Sequence, residues 1–141
     1  MSKGRKKADN LFNRLKLRAN WARIETIKIH KAAPETRLAS SLSAVEIFTV
    51  LYYGGLIEFD SKNINSENRD RFIISKGHGA ISFYPILADH GYFPKKELLN
   101  VCKEGSILGG IPDSIIPGFE TTNGSLGHGL GVGCGVALAL K

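Results

Sequence analysis

Cysteine is scarce in this chain. Its 141 residues hold two, Cys102 and Cys134, far apart and without metal-ligand spacing. This excludes a disulfide-stapled scaffold and a cysteine-rich metal module, and predicts reduced thiols of a cytoplasmic protein. Cys134 lies among glycines and reads as a small buried residue rather than a nucleophile. No apolar run reaches membrane-spanning length, and no apolar stretch follows the basic N-terminus, so neither a membrane span nor a secretory signal is expected. Also missing are a basic strand interleaved with aromatics and a helix-turn-helix pattern, which argues against nucleic-acid recognition. What remains is ordinary for a soluble globular domain: 43% hydrophobic and 23% charged residues, with length enough for one real core. Much of the net charge of +6 comes from Lys3, Arg5, Lys6, Lys7, Arg14, Lys16 and Arg18. The bland reading of these residues is a solvated tail leading into a helix face.

Glycine, by contrast, is abundant at one end. The stretch Gly118-Phe-Glu-Thr-Thr-Asn-Gly-Ser-Leu-Gly-His-Gly-Leu-Gly-Val-Gly-Cys-Gly135 combines three features. Thr121-Thr122-Asn123 is a polar turn. Gly124-Ser-Leu-Gly127 exposes backbone N–H groups. An apolar run from Leu126 to Leu140 can continue as a helix. A glycine turn feeding a helix N-terminus is a ready anion site, because the first amides lack internal partners and the dipole favours negative charge. Its rival reading is a helix that merely packs closely. Gly127, Gly131 and Gly135 would then form one smooth face.

Read in order, residues 1–8 are predicted to be a basic disordered tail. From Asp9 to about Ala32 the spacing of Leu11, Leu15, Ala22, Ile24 and Ile27 predicts an amphipathic helix, ended by Pro34. Trp21 anchors it to the core or to a partner. Ser43-Ala-Val-Glu46 reads as a capping box opening a second helix, which Gly54-Gly55 stop. Arg71-Phe-Ile-Ile-Ser75 is the clearest strand, apolar enough to be buried on both faces of a parallel sheet. It ends in Lys76-Gly-His-Gly79, which places His78 at a strand's carboxyl end, where α/β sheets hold ligands. Pro85 requires the next helix to start or bend there. Pro94 opens a short helix to Val101. The long loop 103–123 is of a length usually reserved for function or disorder.

Three motifs stand in one order: Ser41-Leu-Ser-Ala-Val-Glu-Ile47, Asp70-Arg-Phe-Ile-Ile-Ser-Lys-Gly-His78 and Pro117-Gly-Phe-Glu-Thr-Thr-Asn-Gly-Ser-Leu-Gly-His-Gly129. Together they resemble the N-terminal, thiamine diphosphate-binding domain of transketolase, particularly the N-terminal subunit of split transketolases. The resemblance covers roughly residues 10–141. It implies an α/β fold, here a partial and helix-rich one, in which a parallel sheet is flanked by helices over residues 9–141. It implies thiamine diphosphate and a divalent metal, usually magnesium, in transferring a two-carbon ketol unit between sugar phosphates. By position, His78 resembles the family histidine beside cofactor and substrate, a catalytic and cofactor-binding role. Gly124, Ser125 and Leu126 match the turn whose backbone meets the cofactor.

The departures from the pattern carry their own expectations. Arg37 stands where the family has a substrate histidine. It cannot act as a base at neutral pH, though it can bind a phosphate or carboxylate. Ile111 stands where a second histidine is usual. The Gly-Asp-Gly motif and the asparagine that hold the family's metal do not follow, so no metal ligand is assigned here. One strand alone cannot make a sheet for the helices to cover. The chain is therefore expected to be an N-terminal portion that needs a C-terminal transketolase subunit or domain within a homo- or hetero-oligomer. The alternative is a non-catalytic or degenerate partner subunit that completes or regulates such an enzyme.

Overall fold

Helix α1, Lys3–Ala32, opens the chain in the computed structural model, which describes residues 3–122 and 124–141. The helix begins well inside the segment expected to be disordered. Lys, Arg and Ala are good helix formers, and no proline interrupts them. Its buried stripe is also not the expected one. Ala19, Ala22, Thr26 and Ile29 face the core, while Ile24 and Ile27 face outward. The two alanines let other elements approach closely, and a larger residue on that stripe would hold them off. Residues 4–14 of the helix are exposed wherever their side chains are described. Trp21 packs against the core edge.

Helix α2, Leu38–Leu42, and helix α3, Val45–Tyr53, follow with almost no connection. Ser43 does not form the expected capping box. The N-cap of α3 is Ala44, with no side-chain bond. Ser43 Oγ instead donates to the Ser40 carbonyl and accepts from Lys76 Nζ, while Glu46 pairs with Arg23 of α1. The Lys76 ammonium thus sits at the carboxyl end of α2, where the helix dipole favours a cation. Gly54 closes α3 as expected.

No strand pairs with another among the described residues, and the expected parallel sheet is absent. Residues 71–74 belong to no regular element, since a ladder needs a second strand. The neighbouring backbone bonds go elsewhere: the Asp70 amide donates to Glu58, and the Ser75 carbonyl accepts from Gly127. The described fold is helical with long ordered loops, and the α/β assignment is overturned. The segment is still covered on two sides. Phe72 stacks edge-on against Phe48 and Phe83, and Ile74 is buried. Ile73 and Ser75 abut the last helix.

A 3₁₀ helix, Gly77–Phe83, runs directly into helix α4, Tyr84–Asp89, with Pro85 in its first turn. Proline is tolerated there because its missing N–H has no helical partner to lose. These thirteen residues are the molecule's centre: Ile81, Phe83, Tyr84, Ile86 and Leu87 are fully buried. A second 3₁₀ helix spans Lys95–Asn100, with Pro94 as its N-cap. The described residues of the loop beyond it form no regular element, yet Leu108, Ile116 and Phe119 are buried. Helix α5, His128–Ala139, ends the fold. Leu130 and Leu138 are each 76% exposed, so α5 lies on the molecule rather than in it.

Candidate functional site

Ser75 joins the two motifs that the sequence singles out. Its carbonyl accepts from the Gly127 amide at 3.2 Å, and its hydroxyl accepts from the Gly129 amide at 3.0 Å. Gly127 has φ +84, a conformation that L side chains resist, so glycine is required for the chain to turn into α5. Gly129 is required by space. A Cβ there would lie 2.9 Å from Ser75 Cβ and 3.0 Å from Ile73 Cγ2. The expected face of Gly127, Gly131 and Gly135 has no such role, since nothing lies within 4 Å of an added Cβ at any of the three. The side of α5 that meets segment 73–75 carries Gly129 and Gly133 instead. Cys134, expected to be buried, is exposed.

The head of α5 is therefore not a row of loose donors. His128 and Leu130 also donate, to the Ser125 and Gly127 carbonyls, both at 3.3 Å. The donors that remain lie one step earlier. The amides of Gly124, Ser125 and Leu126 have no acceptor among the described residues, and all three residues are exposed. Three consecutive amides without an acceptor among the described residues precede a twelve-residue helix, and such donors at a helix start can take an anion. Asn123, part of the expected polar turn, lies outside the described residues. The Thr122 hydroxyl is used within the loop, accepting from the Ser114 amide at 3.2 Å.

His78 occupies the first turn of the 3₁₀ helix, three residues beyond Ser75. It is half-buried, and its imidazole has no hydrogen-bond partner among the described residues. The same 3₁₀ helix carries α2 against it: the Ser82 hydroxyl donates to the Ser41 carbonyl at 2.8 Å. Arg37 caps the start of α2. Its backbone carbonyl accepts from the Ser41 amide and hydroxyl, while its side chain is exposed and unpaired among the described residues. The turn before it is fixed by Thr36. That hydroxyl donates to the Ala33 carbonyl and lies 2.9 Å from His30 Nδ1. Since its only hydrogen is already given, the imidazole nitrogen is the donor. Ser75 is the contact between the 71–78 motif and the bend. Among the described residues, neither His78 nor Arg37 hydrogen-bonds the bend. Ile111 is half exposed on its loop.

An open, largely apolar cleft of about 390 Å³ lies between these parts, lined among others by Ile47, Phe72, Ile74, Lys76, Gly79 and Leu126. A groove of about 410 Å³ between α1 and α3 shares no residue with the bend. No described group of three or more His, Cys, Asp or Glu residues could hold a metal ion. No described helix is long and apolar enough to cross a membrane. Sequence reasoning missed Ser75 and the anchors of the approach loop. Phe119 stacks edge-on against Phe83 and Tyr84, and Glu120 is held by Arg69. The one legible signal was a small polar residue ending an apolar run, opposite a glycine helix.

The model of the transketolase thiamine diphosphate-binding domain family matches residues 16–141. The chain belongs to this family. A transketolase of Pongo abelii is 40% identical over 127 residues, covering 90% of this chain and 20% of that protein. An apulose-4-phosphate transketolase subunit of Phocaeicola vulgatus is 34% identical, covering 90% of this chain and 45% of that protein. The solved transketolase of Leishmania mexicana superposes with a TM-score of 0.82 at 28% identity, covering 89% of this chain and 19% of that one. The chain thus spans about a fifth of the animal transketolase and under half of the bacterial protein.

Proposed function

We propose that this chain is the N-terminal portion of a transketolase-like enzyme that transfers a two-carbon ketol unit between sugar phosphates, completed by a C-terminal subunit or domain in an oligomer. The observation that carries this reading is the row of three amides, Gly124 to Leu126, without an acceptor among the described residues, ahead of α5 in a chain of this family. Backbone donors that need no reorganisation suit a diphosphate, and the residues present fit that end of thiamine diphosphate. The thiazolium of the cofactor supplies the electron sink. The protein's part is to grip the diphosphate at Gly124, Ser125 and Leu126, and to present His78 to the substrate hydroxyls as a hydrogen-bonding and proton-holding group. Arg37, exposed at the head of α2, is suited to a substrate phosphate. Magnesium on the diphosphate would take ligands supplied outside these residues.

Ile111 favours a second reading, a degenerate partner subunit. Half exposed, it offers a substrate no polar contact where the family has a histidine. One experiment addresses both. Thiamine diphosphate and magnesium are titrated calorimetrically into the chain alone and into the chain completed by a transketolase C-terminal counterpart, and ketol transfer is then assayed. The proposal expects tight binding and transfer only in the completed protein. Sub-micromolar binding by the isolated chain contradicts the need for completion. Cofactor binding without transfer selects the degenerate reading, and no binding at all refutes both.

A further inference from the structure

We infer that Glu120, clamped by Arg69, is a positioning residue that holds the Gly124–Leu126 amides toward an anion; the ligand half of this inference rests on the function proposed above. Arg69 engages both carboxylate oxygens of Glu120, one through NH1 and the other through NH2 at 3.0 Å. The side chains are only 16% and 14% exposed, so the pair is well shielded from solvent. Arg71 adds a second cation, its Nε 3.8 Å from Glu120 Oε2. The two arginines are themselves tied down. Arg69 donates to the Ile64 and Asp70 carbonyls at 2.7 and 3.1 Å. Arg71 donates to those of Arg69 and Ser66 at 3.2 and 2.9 Å. A planar guanidinium held at several points is a rigid fork, and a bidentate carboxylate on it is fixed in direction as well as distance.

Placement gives the clamp its consequence. Glu120 is four residues before Gly124, and its neighbour Phe119 is sunk between Phe83 and Tyr84. On the far side of the bend, Gly127 and Gly129 are seated on Ser75. The described residues on either side of the bend are therefore both tied to the rest of the fold. Arg71 belongs to the same segment as Ser75, so one stretch, 69–75, supplies the anchors at both ends. The free amides of Gly124, Ser125 and Leu126 gain no direction from bonds of their own. The Thr122 hydroxyl, accepting from the Ser114 amide at 3.2 Å, adds a further tie between Glu120 and these amides; of these anchorages, the Glu120 one is set by charge.

The test is amide hydrogen exchange on the full chain, comparing wild type with Glu120→Gln, Arg69→Met and the double variant. Glu120→Gln keeps shape and an acceptor oxygen but removes the charge. The Gly127 and Gly129 amides are expected to exchange at least about tenfold faster in each single variant, while the α1-end amide of Ala33, bonded to Ile29, stays unchanged. Residues in one pair are non-additive, so the effect of the double variant should fall short of the sum of the two single ones. Unchanged bend amides, or an equal rise at Ala33, overturn the inference. If Arg69→Met fails to fold, Glu120→Gln decides on the same ratio. The ligand half is read separately by titrating thiamine diphosphate into the completed protein, where Glu120→Gln should weaken binding about tenfold. Unchanged affinity despite a loosened bend refutes the positioning role and leaves the proposed function standing. A completed wild-type protein that does not bind refutes the proposed function and this ligand half with it, and the exchange data still decide the mechanical link.

Discussion

Adding one methyl group to Gly129 should loosen the whole of α5, while the same change two residues later should tighten it. At Gly129 the new carbon meets Ser75 Cβ at 2.9 Å, and Ile73 Cγ2 and Ser75 Cα at 3.0 Å. One of these contacts is backbone, so the helix must move away. Overpacking of this kind costs about 1–3 kcal/mol. The shift also strains the Gly129 bond to Ser75 Oγ, worth about 1 kcal/mol. Against this stands the helix-propensity gain of alanine over glycine, about 1 kcal/mol. The net is a loss of about 2 kcal/mol. At Gly131 nothing lies within 4 Å of the added carbon, so only the propensity gain of about 1 kcal/mol remains. Urea melts followed by circular dichroism at a helical wavelength measure both variants. With a slope of about 1–3 kcal/mol per molar urea, Gly129→Ala should lower the midpoint of α5 unfolding by about 1 M and Gly131→Ala should raise it. A Gly129→Ala protein as stable as wild type would refute the close approach of α5 to segment 73–75. So would equal destabilisation by both substitutions.

Ser75→Ala removes the hydroxyl that accepts from Gly129 and should cost about 1 kcal/mol, read as faster exchange of the Gly129 amide. His90 lies within 6 Å, ring centre to ring centre, of Tyr52, Tyr53 and Phe59. Its Nε2 is buried and unpartnered. Burial lowers its proton affinity, opposed by Asp89 and aided by Arg18. The unfolded imidazole then binds its proton at higher pH than the folded one. Stability should fall as pH drops below the usual value of 6.5 and level off once the folded group also titrates. His90→Phe should flatten melting temperature between about pH 7.5 and 5.5; an unchanged slope would count against this cage. Burial pushes the Asp89 carboxyl up, but bonds from Lys95 and Tyr53 outweigh it and hold it below its ordinary range. That stability is present above the ordinary carboxylate pKa and is lost only in stronger acid, outside the histidine window. Asp89→Asn weakens links to Arg18, Tyr53 and Lys95 together and should lower stability by about 1–2 kcal/mol in a thermal melt at pH 7.

Local chemistry was legible in the sequence where a residue acts through its own backbone. Pro85 fixed the start of α4, Gly54 ended α3, and the Gly124–Leu126 run with its following helix was visible as a candidate anion turn. The three motifs, taken in order, were enough to indicate the family. What the sequence could not supply was each segment's partner. Residues 71–75 have a strand's composition, but a strand is a relation between two segments, and no second one lies beside it among the described residues. Ser43 and Glu46 fit a capping box, yet Lys76 and Arg23, distant in sequence, drew them away. Helical spacing could not choose between the two faces of α1. The small stripe of Ala19 and Ala22 won because helix and 3₁₀ neighbours approach it closely. Which amides at the final turn stay free was likewise a tertiary outcome. Ser75, fifty-four residues from Gly129, consumes those of Gly127 and Gly129 and leaves the three before them open.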